Sequence, residues 1–272
     1  EVDGETVITG FVDGINPQLD GEGYSIMLVG RDRAADLVDC SVVAKPASWS
    51  QLSIEAIAAA IAQPFGIKIV AKADTGEKVK RFAIQQGETA YAAIERLARY
   101  RGLLAISNAQ GEVELIRPGT GAPVARLAEG LNIIGGAATH DARERFSEYL
   151  VKGQSSGDDT VSGKAAAAVK GEARDPGVSR YRPLLIIGED QATPANLRKR
   201  AAWEASSRAA KGQRATFTVP GWRIAEGGGL WRPDLLVDVT APFFLVEGRL
   251  LVTEAALVKD DRGTVTELTV TP

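Results

Sequence analysis

The chain has 272 residues, 44% of them hydrophobic, with a formal net charge of −3 and a single cysteine. That length suits roughly two domains and that apolar content excludes global disorder, while the slight acidity argues against a dedicated nucleic-acid binder, which carries a basic excess. Cys40 alone excludes an internal disulfide and fits assembly in a reducing compartment, and no apolar run approaches the ~18 residues that span a bilayer.

Val7 to Val12 and Tyr24 to Val29 are strand-like and joined by the polar, glycine-bearing Asp13 to Gly23. Ala34 to Ser41 reads as a short turn or helix. Ser50 to Gln63 then places Ile54, Ile57, Ala58 and Ile61 at helical spacing, and Pro64 stops it. Ile67 to Val70 is a short strand. Thr89 to Arg101 is a second helix with Tyr91, Ile94, Leu97 and Ala98 on one stripe and Gly102 at its end. Leu103 to Ser107 and Glu112 to Arg117 form a hairpin across Asn108 to Gly111. Residues 44–118 are expected to form a compact α/β module with its own core.

Thr139 to Lys152 is again strand-like, with Phe146, Tyr149 and Val151 as candidate core positions. Residues 153–182 hold almost no large apolar side chains, so they are expected to form a mobile loop or projecting arm. Pro183 to Ile187 returns to strand. Thr193-Pro194 is an N-cap followed by proline at the first helical position and opens a helix over 194–211. That helix is expected to bury Leu197, Ala201 and Ala205 and to expose Arg198, Lys199, Arg200, Arg208 and Lys211. Arg214 to Val219 follows as a strand with Ala215, Phe217 and Val219 inward. Beyond Trp222, the Gly227–Gly229 turn and Trp231, short strands at Leu235–Val239, Phe243–Val246, Leu250–Thr253 and Glu267–Val270 are separated by Ala241-Pro242, Glu247-Gly248 and Asp260–Gly263. Strands so closely spaced make a small antiparallel barrel or sandwich, with both tryptophans as packing anchors.

One internal echo links the two ends. Val7–Val12 with Tyr24–Val29, and Leu251–Val258 with Val265–Val270, both read as strand, polar turn, strand of similar length. Either any two hairpins look alike, or the chain holds two related barrels with the α/β module inserted in the first.

Motifs that would carry chemistry fail on inspection. Gly153-Gln154-Ser155-Ser156-Gly157 fits a nucleophile elbow, but the sole histidine, His140, precedes the serine and no helix pattern follows. Gly157 to Ala165 has the wrong spacing for a phosphate loop and ends on Ala165 where Ser or Thr would hold magnesium. One His and one Cys cannot make a structural zinc site, and Asp158-Asp159 and Asp260-Asp261 lie in polar turns rather than a cleft. Gly227–Gly229 precedes a strand, so it presents no helix N-terminus to a phosphate. The basic face of the third long helix lacks interleaved aromatics and reads as a solvated face or an interface strip. No catalytic, cofactor-binding or metal-binding residue is assigned.

The order of several short segments resembles the baseplate hub proteins of Mu-like contractile-tailed phages, also related to late-control tail proteins. The segments are Leu28–Asp32 with Asp36–Ser41, Pro64–Ile67, Gln86–Thr89, Arg101–Leu104, Arg182–Leu184, Arg200–Glu204, Pro220–Trp222, and Leu230-Trp231 with Pro233. The resemblance covers nearly the whole chain and implies a further strand segment before Glu1. It implies an α+β, mainly β fold: two small antiparallel β-barrel domains, the first from residues 1–43 with 119–152 and the second from 183–272, around an inserted module at 44–118 and an arm at 153–182. It also implies a non-enzymatic homotrimer at the tail tip, assembled in the host cytoplasm, whose two barrels per subunit make a six-part ring. Its partners would be a central spike protein, the tail tube or a distal tube-initiator, and baseplate wedge proteins. DNA would pass through the ring without sequence-specific contact, and no membrane insertion is expected. Phe243 or Phe244 would serve the subunit interface. A hub of a related phage-derived bacteriocin or secretion spike fits equally, and the other classes are a cell-wall glycan hydrolase and a carbohydrate-binding module stacking sugars on Trp222 or Trp231.

Overall fold

The computed structural model describes residues 1–153, 169–188, 193–261 and 263–272. The chain divides into two compact units, Glu1–Arg117 and Pro118–Pro272. Among the described residues no helix is long and apolar enough to cross a membrane.

The first unit begins with an antiparallel hairpin of β1 (Gly10–Leu19) and β2 (Tyr24–Asp32). Its turn is closed by Asp20, whose carboxylate accepts from the backbone N–H of Glu22 at 2.8 Å and of Gly23 at 3.0 Å, a local side-chain bond typical of Asp in turns. The expected polar joint at Asp13–Gly23 is therefore mostly strand, with a one-residue bulge between Val12 and Gly14. The remainder is the α/β module. α1 (Ala35–Asp39), α2 (Ile54–Ala62) and α3 (Ala90–Tyr100) pack with a three-stranded sheet in which β4 (Ile69–Ala71) runs parallel and β6 (Leu104–Ser107) antiparallel to β7 (Val113–Ile116). β3 (Ser48–Trp49) and β5 (Phe82–Ala83) form a small second ladder. Ser53 and Thr89 cap α2 and α3 by accepting from Ala56 and Ala92 N–H, as hydroxyl N-caps do. Ile54, Ile57, Ile61, Ile94 and Leu97 fill the core as their spacing predicts, joined by Ala34 and Leu37 from α1. Within that core Arg96 is buried, its guanidinium bonded to the Glu88 carboxylate and stacked 4.2 Å over the Phe82 ring.

Among the described residues the second unit holds two sheets. The larger has six strands in the order β8 (Ala125–Ala128), β14 (Leu236–Ala241), β15 (Val246–Asp260), β16 (Gly263–Thr271), β13 (Gln213–Pro220), β9 (Gly135–His140). Leu127, Phe217, Val237, Val252, Leu268 and Val270 converge on its core. The smaller sheet places β10 (Glu148–Gly153) between antiparallel β11 (Val169–Arg174) and parallel β12 (Pro183–Ile187). It packs on α4 (Pro194–Gly212) through Tyr149, Val151, Leu197 and Ala201. Thr193 caps α4 and Pro194 begins it, as expected.

The α+β, mainly β class stands, but the closed barrels do not. The end strands β8 and β9 of the six-stranded sheet are not paired to each other, so it stays open, and residues 10–32 give a two-stranded hairpin. Nor do residues 119–152 pair with 1–43: β8 joins β14 and β9 joins β13. The physical reason for β9 lies partly in Gly136, where a Cβ would sit 2.8 Å from the Phe217 ring; the missing side chain lets β9 lie flat on that edge. Thr139–Lys152, expected as one strand, is split between β9 and β10 in different sheets. In the expected arm at 153–182, the described residues 169–174 form β11, where Gly171 admits the backbone of α4 so closely that a Cβ would lie 2.1 Å from the Leu197 carbonyl carbon. Phe243–Val246 is not a strand, since Pro242–Phe244 forms a 3-10 turn closed by Leu245 at φ +56°. Glu247-Gly248, expected as a turn, lies inside β15.

Candidate functional site

Among the described residues two exposed apolar surfaces and one buried charge cluster stand out, besides further exposed side chains such as Leu131 and Ile187 and the Arg96–Glu88 pair of the first unit. The first apolar surface is one face of the β1–β2 hairpin. Because cross-strand partners share a face, the pairs Ile15↔Leu28, Pro17↔Ile26 and Leu19↔Tyr24, with Val12 beyond the bulge, line one side. From Val12 to the turn that side carries no charge, Asp32 lying at its base, and Val12, Ile15, Leu19, Ile26 and Leu28 are all exposed, as is Tyr24 at 87%. The opposite side is mixed, with Asn16, Gln18 and Ser25 among Met27 and Val29. Arg31 anchors the base of the hairpin through Asp13 and Asp39, each at 2.7 Å, and those contacts raise the guanidinium's affinity for its proton, the Asp39 hydrogen bond most.

This hairpin has a counterpart. Adding 240 to both members of eight successive β1–β2 pairs, from Phe11↔Arg31 to Leu19↔Tyr24, yields the pairs of β15 with β16, from Leu251↔Thr271 to Lys259↔Thr264. The bulge is carried over as well, from Val12/Gly14 to Val252/Glu254. The environments differ completely: Val252, Thr266 and Leu268 are fully buried, whereas the corresponding Val12, Ile26 and Leu28 face outward.

The second apolar surface belongs to the 3-10 turn after β14. Phe243 is 80% exposed, and Leu245 is exposed beside it. The turn is held rigidly: Phe243 N–H donates to the Glu129 carboxylate at 3.0 Å, and Phe244 packs edge-on against Phe217 with ring centroids 5.3 Å apart. His140 Nε2 donates to the Phe244 carbonyl at 2.8 Å. A non-glycine residue at positive φ costs about 1 kcal/mol, so the turn carries strain at Leu245, φ +56°. Of the two phenylalanines expected at an interface, Phe243 is the outward one.

The charged feature sits where α4 meets the smaller sheet. Glu204 is buried between Arg200 and Arg208, one helical turn to either side. Burial opposes its charge, but the two guanidiniums prevail and its carboxyl titrates below the ordinary range. Arg145 holds Asp175 through two bonds of 2.8 Å, which lowers that carboxyl too. Arg182 and Arg208 both lie 5.3 Å from the Phe146 ring. Arg200 and Arg208, expected on a solvated face, are thus structural, which leaves Arg198, Lys199 and Lys211 exposed.

The remaining candidates separate in the same way. Trp231 is 5% exposed and joins the six-stranded core. Trp222 is half-buried and its indole N–H donates to Val258 O at 2.9 Å, so both act as packing anchors. Asp141, beside His140, is occupied by Arg143, whose hydrogen bonds hold its carboxyl down to about 2. Among the described residues no three His, Cys, Asp or Glu side chains come together as metal ligands would. Gly153–Gly157, Gly157–Ala165 and Asp158-Asp159 lie largely or wholly outside the described residues.

The chain is 33% identical to the baseplate hub protein gp44 of Escherichia phage Mu, over 100% of its own length and 74% of that protein's. It belongs to the Mu-like baseplate hub family. Members are structural components of the phage tail and not enzymes. Family models match in three places: the second domain of gp44-like baseplate hub proteins at residues 34–117, the third domain of NMB1110-like tail proteins at 145–202, and the fourth domain of the Mu phage baseplate assembly protein GpP at 193–272. The 43 kDa tail protein of prophage MuSo2 from Shewanella oneidensis superposes with a TM-score of 0.85 at 34% identity, covering 100% of this chain and 81% of that one. The tail protein from Neisseria meningitidis MC58 follows at 0.82 and 26% identity, covering 99% and 81%. The two exposed apolar surfaces carried no motif in the sequence; the signal available was the repeated hairpin and the run Phe243–Leu245.

Proposed function

We propose that the protein is a trimeric baseplate hub at the tail tip that joins a sixfold tail tube to a threefold central spike. The observation that carries this reading is the 240-residue correspondence. A protomer with two copies of one hairpin geometry lets three protomers present six similar elements to a sixfold neighbour while remaining threefold elsewhere, so closed symmetry does the matching. The fixed, outward Phe243 suits a ring interface, where aromatic anchors concentrate binding energy. The partners on this reading are the central spike, the tube or a distal tube-initiator protein, and the wedge proteins. The hub assembles in the host cytoplasm, and DNA passes through the ring without base-specific contact.

Light scattering coupled to size-exclusion chromatography, with negative-stain images, tests the proposal. The expected result is a trimer that projects as an annulus. A persistent monomer at micromolar concentration, or a filled particle, overturns it. Phe243→Ala is expected to weaken the trimer at least tenfold while leaving the melting temperature of the dissociated chain unchanged.

A further inference from the structure

We infer that the free edge of β12 takes an added strand from a different tail protein, an extended segment with apolar residues at alternate positions and an acidic residue beside Lys152. The inference rests on membership of the hub family and on the geometry of the smaller sheet, not on the trimer.

Among the described residues β12 is an end strand, paired with β10 on one side only. The carbonyl of Arg182 accepts from Ser147 N–H at 2.8 Å, and Gly188 N–H donates to the Lys152 carbonyl at 2.6 Å. A parallel ladder engages alternate residues of a strand, so Leu184 and Ile186 also bond toward β10. Pro183, Leu185 and Ile187 therefore turn their backbone groups to the free edge. Proline suits that place, since the N–H it lacks would have pointed away from the ladder. The same three side chains stand on the face away from α4, because Leu184 and Ile186 pack into the core beneath the helix. Leu185 and Ile187 are exposed, and Tyr181, just before the strand, is 81% exposed.

Charge and backbone chemistry select the occupant. Register places Glu148, Leu150 and Lys152 of β10 and Lys170, Glu172 and Arg174 of β11 on that same face. Its two carboxylates are matched, Glu148 by Arg174 at 3.2 Å and Glu172 by Lys170 at 2.7 Å. Lys152, which faces Ile187 across the ladder, and Arg180, next to Tyr181, have no ion pair among the described residues. The unmatched charge is positive, so an acidic segment is favoured over a basic one. A helix or a flat apolar surface would cover the side chains but leave the donors and acceptors of Leu185 and Ile187 unpaired. An added strand pairs them and reads alternate side chains at the same time. A second copy fits poorly. Antiparallel pairing of two β12 edges about Leu185 sets Ile187 against Pro183, which has no N–H to give the Ile187 carbonyl, and brings two unmatched Lys152 side chains to one face.

The test follows amide exchange at Leu184, Leu185, Ile186 and Ile187, residue by residue, in the isolated chain and in purified tails. In the isolated chain Leu184 and Ile186 are expected to exchange slowly and Leu185 and Ile187 rapidly, at every protein concentration. In tails Leu185 and Ile187 are expected to slow at least 100-fold, and unchanged rates overturn the inference. Protection of those two amides in the isolated chain overturns it as well, whether present at dilution, which assigns the edge to the chain itself, or growing with concentration, which assigns it to a second copy. Photo-reactive benzoylphenylalanine in place of Tyr181, whose exposure lets the substitution leave the fold intact, then identifies the partner in irradiated tails. The expected adduct is to a different tail protein, in a stretch that alternates apolar residues and holds Asp or Glu. An adduct to this chain, an adducted stretch without an acidic residue, or no adduct overturns the inference. Failure of the hub proposal is separately visible: a monomer on light scattering sinks the trimer without affecting the exchange pattern, and a trimer whose Leu185 and Ile187 stay fast in tails sinks only this inference.

Discussion

The β1–β2 and β15–β16 hairpins share register, bulge position and turn placement, yet one is exposed on both faces and the other forms the middle of a six-stranded sheet. The pair separates two things often treated as one. Register is local: the turn and the one-residue bulge set it, because a slip by one residue would move every side chain to the wrong face. Stability is not local, since it depends on which strands lie alongside and what they cover.

The sharpest way to break the comparison is a matched pair of truncations. Leu268→Ala, in the buried hairpin, is expected to cost about 2–5 kcal/mol through lost burial and a residual cavity. Its counterpart Leu28→Ala is expected to stay within about 0.5 kcal/mol in the isolated chain. Urea unfolding followed by tryptophan fluorescence and circular dichroism reads both, and equal losses would mean the hairpins are not in different environments at all.

A second experiment asks whether the second unit draws its stability only from the larger sheet. Asp175→Asn leaves Arg145 half-satisfied and is expected to cost about 2–3 kcal/mol. The Arg145 hydrogen bonds lower the folded-state affinity of Asp175 for a proton. Its contribution is therefore present above the unfolded carboxylate pKa and is lost as pH falls through the lower folded value. Urea midpoints measured from neutral pH down to about 3 should fall less steeply for the variant than for the parent. A parallel decline would assign the acid sensitivity elsewhere.

Smaller still is the tether that only the second hairpin has. Trp222→Phe keeps most of the ring but removes the donor to Val258 O. The expected cost is about 1 kcal/mol, with faster amide exchange confined to the distal part of β15–β16.

The two hairpins also explain how far the sequence could be read. α2, α3 and α4 were legible because apolar periodicity agrees in each with a marked boundary: Pro64 after α2, Gly102 after α3 and Thr193-Pro194 before α4. The buried positions of β13 followed from simple alternation. The barrels were not legible, because strand pairing is a long-range choice that periodicity leaves undetermined: nothing local in Ala125–Ala128 or Gly135–His140 says which sheet they join. The β1 strand was cut short in the reading because Asp13, Gly14, Asn16 and Pro17 look like turn residues; on an unburied hairpin, polar strand residues carry no penalty. Residues 169–174 lacked a strand signal since β11 offers its partner helix a glycine and an alanine in place of large apolar side chains. The arginines of α4 were misjudged for a similar reason, as the Arg200, Glu204, Arg208 spacing supports a solvated ladder and a buried triad alike.

β10 and β11 pair from Glu148↔Arg174 to Gly153↔Val169, so the chain leaves this sheet and re-enters it at facing positions. Gly153 and Val169 are therefore held by the same ladder. A pair of fluorophores on Lys152 and Lys170, which face each other across that ladder, would offer a handle on the hub that reports whether this edge of the sheet stays closed.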